Sequence, residues 1–137
     1  MRLEVTRRAD LATRALLALD GRSGRLKASE LADALDASAG FVSQAMTPLV
    51  NRGWVRSDPG PTGGYTATVP LAELSVLDVI EAVDGPTDAA ACVLEDRPCA
   101  GGAQCALHQA WARARGQLLH ELASTSLATI ATTKRVR

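Results

Sequence analysis

Aromatic side chains are almost missing from this sequence: 137 residues hold two tryptophans, one tyrosine and one phenylalanine. A core for such a chain must be built from Leu, Val, Ile and Ala, and a Leu- and Ala-rich stock favours helices. No apolar run approaches the ~18 residues of a membrane-spanning helix. The start, Met1-Arg2-Leu3-Glu4-Val5, lacks the apolar stretch of a signal peptide. The expectation is a cytoplasmic protein with no membrane partner. Net charge is missing too, since fifteen basic residues balance fifteen acidic ones. That argues against a sequence-blind coat on nucleic acid but not against a local basic face. Residues 1–60 hold nine Lys/Arg against seven Asp/Glu, and residues 61–137 hold six against eight. The asymmetry has the sign expected if the first half meets phosphate. Cysteine is scarce and odd in number, and all three fall within residues 92–105. In a reducing compartment such a cluster suits a metal or redox site better than a disulfide framework. No cradle for a nucleotide, no Ser/His/Asp arrangement and no loop long enough to enclose a substrate is present, so an enzyme or electron-transfer module is not expected.

What is present reads mainly as helix. Thr6 can cap a first helix whose apolar residues Leu11, Ala12, Ala15, Leu16 and Leu19 follow at helical spacing. Residues 20–24 form a turn. Leu31, Ala32 and Leu35 mark a short second helix near 28–35. After a tight Asp36-Ala37 connection, Ser38 is a good N-cap for a third. Val42, Ala45, Met46, Leu49 and Val50 give that helix one apolar face, and Gly53 stands where a left-handed residue ends it. Two helices joined by a tight turn form the helix-turn-helix pattern. The next segment strengthens it: Trp54-Val55-Arg56 reads as a strand, residues 58–64 as a Pro/Gly turn, and residues 65–69 as a second alternating strand. A hairpin in that place is a wing. Ser75 with Asp78 forms a capping box opening a helix through Val79, Ile80 and Val83, which Gly85-Pro86 stops. Leu107, Trp111, Ala114, Leu118, Leu122, Leu127 and Ile130 then place one apolar stripe on a helix over 104–130, weakened at 124–126 and fraying from Thr132. At ~1.5 Å per residue it spans roughly 40 Å, more than one small domain needs. A stripe on a protruding helix needs a partner, and a homodimer is expected. The expected fold is mainly α: a winged helix-turn-helix DNA-binding domain over 1–85, a cysteine loop over 86–105, and a long dimerisation helix with its tail over 106–137.

In a helix-turn-helix the N-terminal part of the second helix meets base edges in the major groove. Here that surface is Ser38, Gly40, Phe41, Ser43, Gln44 and Thr47. Gln44 can pair bidentately with adenine, serine with several bases, and Phe41 can touch a thymine methyl. Ser43 and Gln44 also fit as merely solvated residues. Arg7, Arg8, Arg52 and Arg56 are candidates for phosphate contacts, which position a protein without specifying sequence. Any one of them alone also fits as an ordinary surface arginine. Thr62 and Gly63 at the wing tip complete the candidate DNA surface. Pro48 lies inside the third helix, where proline removes a hydrogen bond; either the helix kinks there or it is shorter than its apolar pattern.

The cysteines read Cys92-x6-Cys99-x5-Cys105, with His108 three residues on. Structural zinc sites use tighter Cys-x2–4-Cys knuckles. The wider spacing suits a loop wrapped around a larger object such as an iron–sulfur cluster. Three ordinary thiols in a loop, or a zinc site, are the competing readings. Three thiolates leave one ligand short of four. His108 is the local candidate and Asp10, reaching over from the first helix of either subunit, the distant one. Surface histidine and first-turn helix carboxylate are their plain alternatives.

These residues together resemble the IscR/NsrR-type family of bacterial winged-helix regulators over about residues 2–127. Three stretches carry the resemblance. The first is Met1-Arg2-Leu3 with residues 10–16. The second is Gly53-Trp54-Val55 with residues 60–65 in the wing, followed by residues 77–83. The third is the cysteine loop ending in residues 105–111. The resemblance implies a homodimeric transcription regulator of a double-stranded operator; a repressor is expected, and an activator also fits the sequence. It implies a 2Fe–2S or 4Fe–4S cluster on Cys92, Cys99 and Cys105, whose state sets DNA affinity in response to nitric oxide, oxygen or cluster supply. In the branch sensing cluster supply the fourth ligand stands at the place of His108; in the nitric-oxide branch it is an aspartate at the place of Asp10. This sequence has both. It departs from the family in carrying six residues, not five, between its first two cysteines, and Asp58-Pro59 where an arginine usually precedes the wing's Gly-Pro. The position of Ser43 often holds a larger polar residue, so an operator sequence is not transferable. The alternative within the same fold is a regulator that senses by thiol oxidation or zinc without a cluster.

Overall fold

A computed structural model describes residues 3–20, 24–87, 93–94 and 104–136, the side chains of 134–136 excepted. In chain order the elements are α1 (Arg7–Asp20), α2 (Ala28–Leu35), α3 (Ala39–Asn51), β1 (Val55–Asp58), β2 (Gly64–Ala67), a 3-10 turn (Leu71–Glu73), α4 (Val76–Asp84), α5 (His108–Ser124) and α6 (Leu127–Val136). This is a winged helix-turn-helix, as the sequence predicts.

The core is aliphatic, as the scarcity of aromatics requires. Leu11, Leu16 and Leu19 of α1 meet Leu31 and Leu35 of α2, Val42, Met46 and Leu49 of α3, and Val79 and Val83 of α4. No polar or charged residue is buried among those described. Local chemistry sets the helix ends. The Thr6 hydroxyl accepts from Ala9 N–H at 3.1 Å, and the Ser38 hydroxyl accepts from Phe41 N–H at 3.1 Å. Ser75 and Asp78 bond each other's backbone N–H at 3.0 and 2.9 Å, the expected capping box.

The wing is an antiparallel pair with Val55 opposite Ala67 and Asp58 opposite Gly64. It is wider than the hairpin read from sequence. Leu26 exchanges two backbone hydrogen bonds with Tyr65, at 3.0 and 2.8 Å, so the segment before α2 bridges the outer edge of β2 at one residue. Gly64 allows this. Its φ is +141°, and a Cβ there would lie 2.6 Å from the Leu26 carbonyl oxygen.

The end of the chain departs from the single helix predicted over 104–130. Thr125 is extended, with φ −100° and ψ 110°. Its carbonyl accepts from Val76 N–H at 2.9 Å, and Leu127 N–H donates to Leu74 at 2.9 Å. Ser126 thus bridges Ser75, and its hydroxyl accepts from Thr129 N–H at 3.2 Å at the start of α6. The physical reason for the break is the burial of Leu127, which is 0% exposed in the α1–α4 core. A straight helix would carry it outward. The tail expected to fray from Thr132 stays helical to Val136.

Candidate nucleic-acid interface and cysteine site

The connection from α2 to α3 is as tight as the sequence suggests. Asp36 adopts φ 52°. Its N–H reaches the Asp33 carbonyl at 3.3 Å, and Ala37 N–H reaches Ala32 at 3.0 Å. These bonds close the last turn of α2 and reverse the chain into Ser38. α3 then turns Val42, Ala45, Met46 and Leu49 into the core and leaves Ser38, Gly40, Ser43, Gln44 and Thr47 exposed, with Phe41 half-buried. The Thr47 hydroxyl donates to the Ser43 carbonyl at 2.9 Å, so outward it offers only lone pairs. α3 runs across Pro48 to Asn51, which answers one of the two alternatives raised by that proline: the helix is not shortened. Two residues past its end stands Gly53, φ +77°, where the sequence places the left-handed residue.

Each of the four arginines singled out has a partner within the chain. The Arg7 guanidinium lies over the Phe41 ring, 5.7 Å from its centroid. Arg8 donates to the Val83 carbonyl at 3.1 Å and lies 3.8 Å from the Asp84 carboxylate, so it ties α1 to the C-terminus of α4. Arg52 lies over the Trp54 ring at 5.8 Å. Arg56 pairs with Asp58 at 3.2 Å along β1. That pair is solvent-exposed and worth at most about 1 kcal/mol, so a phosphate can replace the carboxylate. At the wing tip Thr62 is exposed and Gly63 is buried. Gly63 N–H is used within the turn, donating to Gly60 at 2.9 Å. A Cβ at Gly63 would fall 2.0 Å from the Asp58 carbonyl oxygen, so only glycine fits there.

Sequence reasoning missed Arg25 and Lys27. Both are exposed and flank the buried Leu26 at the root of the wing. The alternation of polar, apolar and polar residues was the available signal. It is too short to read without the strand partner that lies nearly forty residues on.

Cys92 and Cys99, with most of the loop expected over 86–105, lie outside the described residues. Cys105 is a half-buried free thiol. His108 is the first residue of α5, half-buried, and its N–H donates to the Cys105 carbonyl at 3.1 Å. The two therefore stand one turn apart where α5 begins. Asp10 projects from α1 with 57% of its side chain exposed and accepts from Arg14 Nε at 3.1 Å. Among the described residues no three His, Cys, Asp or Glu side chains gather as a metal site needs. The preceding chain is tied at its start, since Thr87 N–H donates to the Glu81 carboxylate at 3.2 Å. α5 buries none of its 17 residues, and Leu118 is 45% exposed. No helix among the described residues is long and apolar enough to cross a membrane.

Comparison with known proteins agrees with this geometry. Residues 5–133 match the model of the Rrf2 family, described as iron-dependent transcriptional regulators. A candidate HTH-type transcriptional regulator of Mycobacterium tuberculosis is 32% identical over 132 residues, covering 94% of this chain and 81% of that protein. The HTH-type transcriptional regulator IscR of Vibrio cholerae is 29% identical over 111 residues, covering 80% and 64%. Among solved structures, CymR, the global cysteine regulator of Bacillus subtilis, superposes with a TM-score of 0.77 at 25% identity, covering 96% of this chain and 98% of that one. With the helix-turn-helix, the wing and a family match spanning nearly its whole length, this chain belongs to the Rrf2 family of winged-helix transcription regulators.

Proposed function

We propose that the chain acts as a homodimeric repressor whose affinity for a double-stranded operator is set by an iron–sulfur cluster. Cys92, Cys99 and Cys105 would hold the cluster, completed by His108 or Asp10. The observation that carries the reading is the placement of Cys105 in the turn that leads into α5 and of His108 at its first residue, in a helix with no buried residue of its own. The donor set suits the group, because iron–sulfur clusters are held by cysteine thiolates with histidine as an occasional replacement. A bound cluster supplies a centre that nitric oxide or oxygen can destroy.

The rest follows from the chain's own residues. A held Cys105 fixes where α5 starts. α5 is fixed at its other end, where the Thr125 carbonyl accepts from Val76 of α4, and Leu127 bonds to Leu74 and enters the core. Two copies paired along the Leu107–Leu118 side of α5 hold their α3 helices at one separation, which must match half-sites about one duplex turn apart. A freed Cys105 loosens that separation. On the DNA, Ser38, Gly40, Phe41, Ser43, Gln44 and Thr47 face bases. Arg52, Arg56 and Thr62, with Arg25 and Lys27 at the wing root, face phosphates. Gly63 shapes the tip.

A second reading keeps the fold and the dimer but lets the three thiols sense by oxidation or hold zinc. The likeness to a cysteine regulator at 25% identity supports it. Iron and sulfide assays with an absorption spectrum, taken on protein purified without oxygen, separate the two. The cluster reading expects both elements and a broad visible absorption band, lost in part when His108→Ala or Asp10→Ala removes the true fourth ligand. Protein that stays colourless after anaerobic reconstitution would leave the thiol or zinc reading.

A further inference from the structure

Arg7 opens α1 and Phe41 lies in the first turn of α3, yet the Arg7 guanidinium stands 5.7 Å from the Phe41 ring centroid. The face of an aromatic ring attracts a guanidinium through its quadrupole. Among the described residues this is Arg7's only side-chain partner. The backbone beneath it is pinned on both sides. Thr6 donates its hydroxyl to the Asp84 carboxylate at 2.8 Å, and Arg8 donates to the Val83 carbonyl at 3.1 Å. The ring is pinned as well. Phe41 is half-buried against the core, and its N–H is held by Ser38 at 3.1 Å. Cation and ring therefore meet from two elements whose ends are each fixed.

We propose that Arg7 is a positioning residue for base reading: stacked on Phe41, it holds that ring at the N-terminal end of the recognition helix, where an apolar ring suits the C5-methyl of thymine. The proposal rests on α3 being the DNA-reading helix and is independent of the cluster. It separates Arg7 from an ordinary phosphate contact. A phosphate contact strengthens binding to every sequence and adds to its salt dependence. A positioning residue strengthens binding only where the base is read.

The test starts by selecting duplexes from a random library with the full-length wild-type protein. The selected duplex and a random-sequence duplex are then titrated over a range of salt with Arg7→Gln, Arg7→Lys, Phe41→Leu and the Arg7→Gln/Phe41→Leu double variant. Arg7→Gln and Phe41→Leu should each weaken binding to the selected duplex about two- to fivefold, the range of a surface cation–π contact. The double variant should be no worse than either single one, and Arg7→Lys should recover part of the loss. Binding to the random duplex and the salt slope should not change. Equal weakening on both duplexes with a salt slope lower by about one would overturn the proposal, as would losses that add in the double variant. A wild-type protein that enriches no sequence would overturn the assignment of α3 as the reading helix, and the proposal with it.

Discussion

Asp36 is the one non-glycine residue with positive φ among those described, at 52°. It stands in the two-residue turn that sets the angle between α2 and α3. L-residues in that region are strained by roughly 1–2 kcal/mol, and aspartate tolerates it better than most. Asp36→Val should therefore lower unfolding stability by about 1–2 kcal/mol, while Asp36→Gly should change it by less than about 0.5 kcal/mol, since glycine offsets relief of strain against its own unfolded-state entropy. Urea melts of the two variants check this; equal effects would mean the turn does not hold that conformation. Residues of this kind were legible. Ser38, Gly53 and the Ser75–Asp78 pair act on backbone within a few positions, so their chemistry is written locally. Arg8 was not legible in the same way. Its partners Val83 and Asp84 lie over seventy residues on, and no local pattern tells a docked arginine from a free one.

At the scale of elements the same distinction separates what the sequence reveals from what it hides. The 3.6-residue pattern located α1 to α4, and the Pro/Gly turn located the wing. The bridge at Leu26 is one residue of pairing, below what alternation can signal. The break at Thr125 was half visible. Ser124-Thr125-Ser126 weakens a helix, but only the burial of Leu127 turns weakness into a break. Leu127→Ala should therefore cost about 2–5 kcal/mol, as for a leucine removed from a packed core. Thermal or chemical unfolding reads this directly. A change below about 0.5 kcal/mol, the usual surface value, would mean that Leu127 lies outside the core and that α5 and α6 form one continuous helix.

For the molecule as a whole, the exposed side of α5 is the face along which the proposed dimer would pair. Leu118 is 45% exposed, so Leu118→Glu should leave the melting of the monomer's core nearly unchanged. In a dimer paired along that face it buries a charge without a partner, a large penalty. Sedimentation should show wild-type dimers and Leu118→Glu monomers; dimers in both would place the contact elsewhere. The stripe itself was legible from Leu107, Trp111, Ala114, Leu118 and Leu122. The proposed cysteine site could be read only as spacing, because ligands of a shared group need no local pattern, and Cys92 and Cys99 lie outside the described residues. The central claim is that the cysteines govern α3 through α5. Its most direct test is the affinity of anaerobically purified wild-type protein and Cys99→Ala for the same selected duplex at one salt concentration. The account predicts that Cys99→Ala binds at least about tenfold more weakly, a difference of about 1.4 kcal/mol. Equal affinity, with iron present only in the wild type, would contradict it.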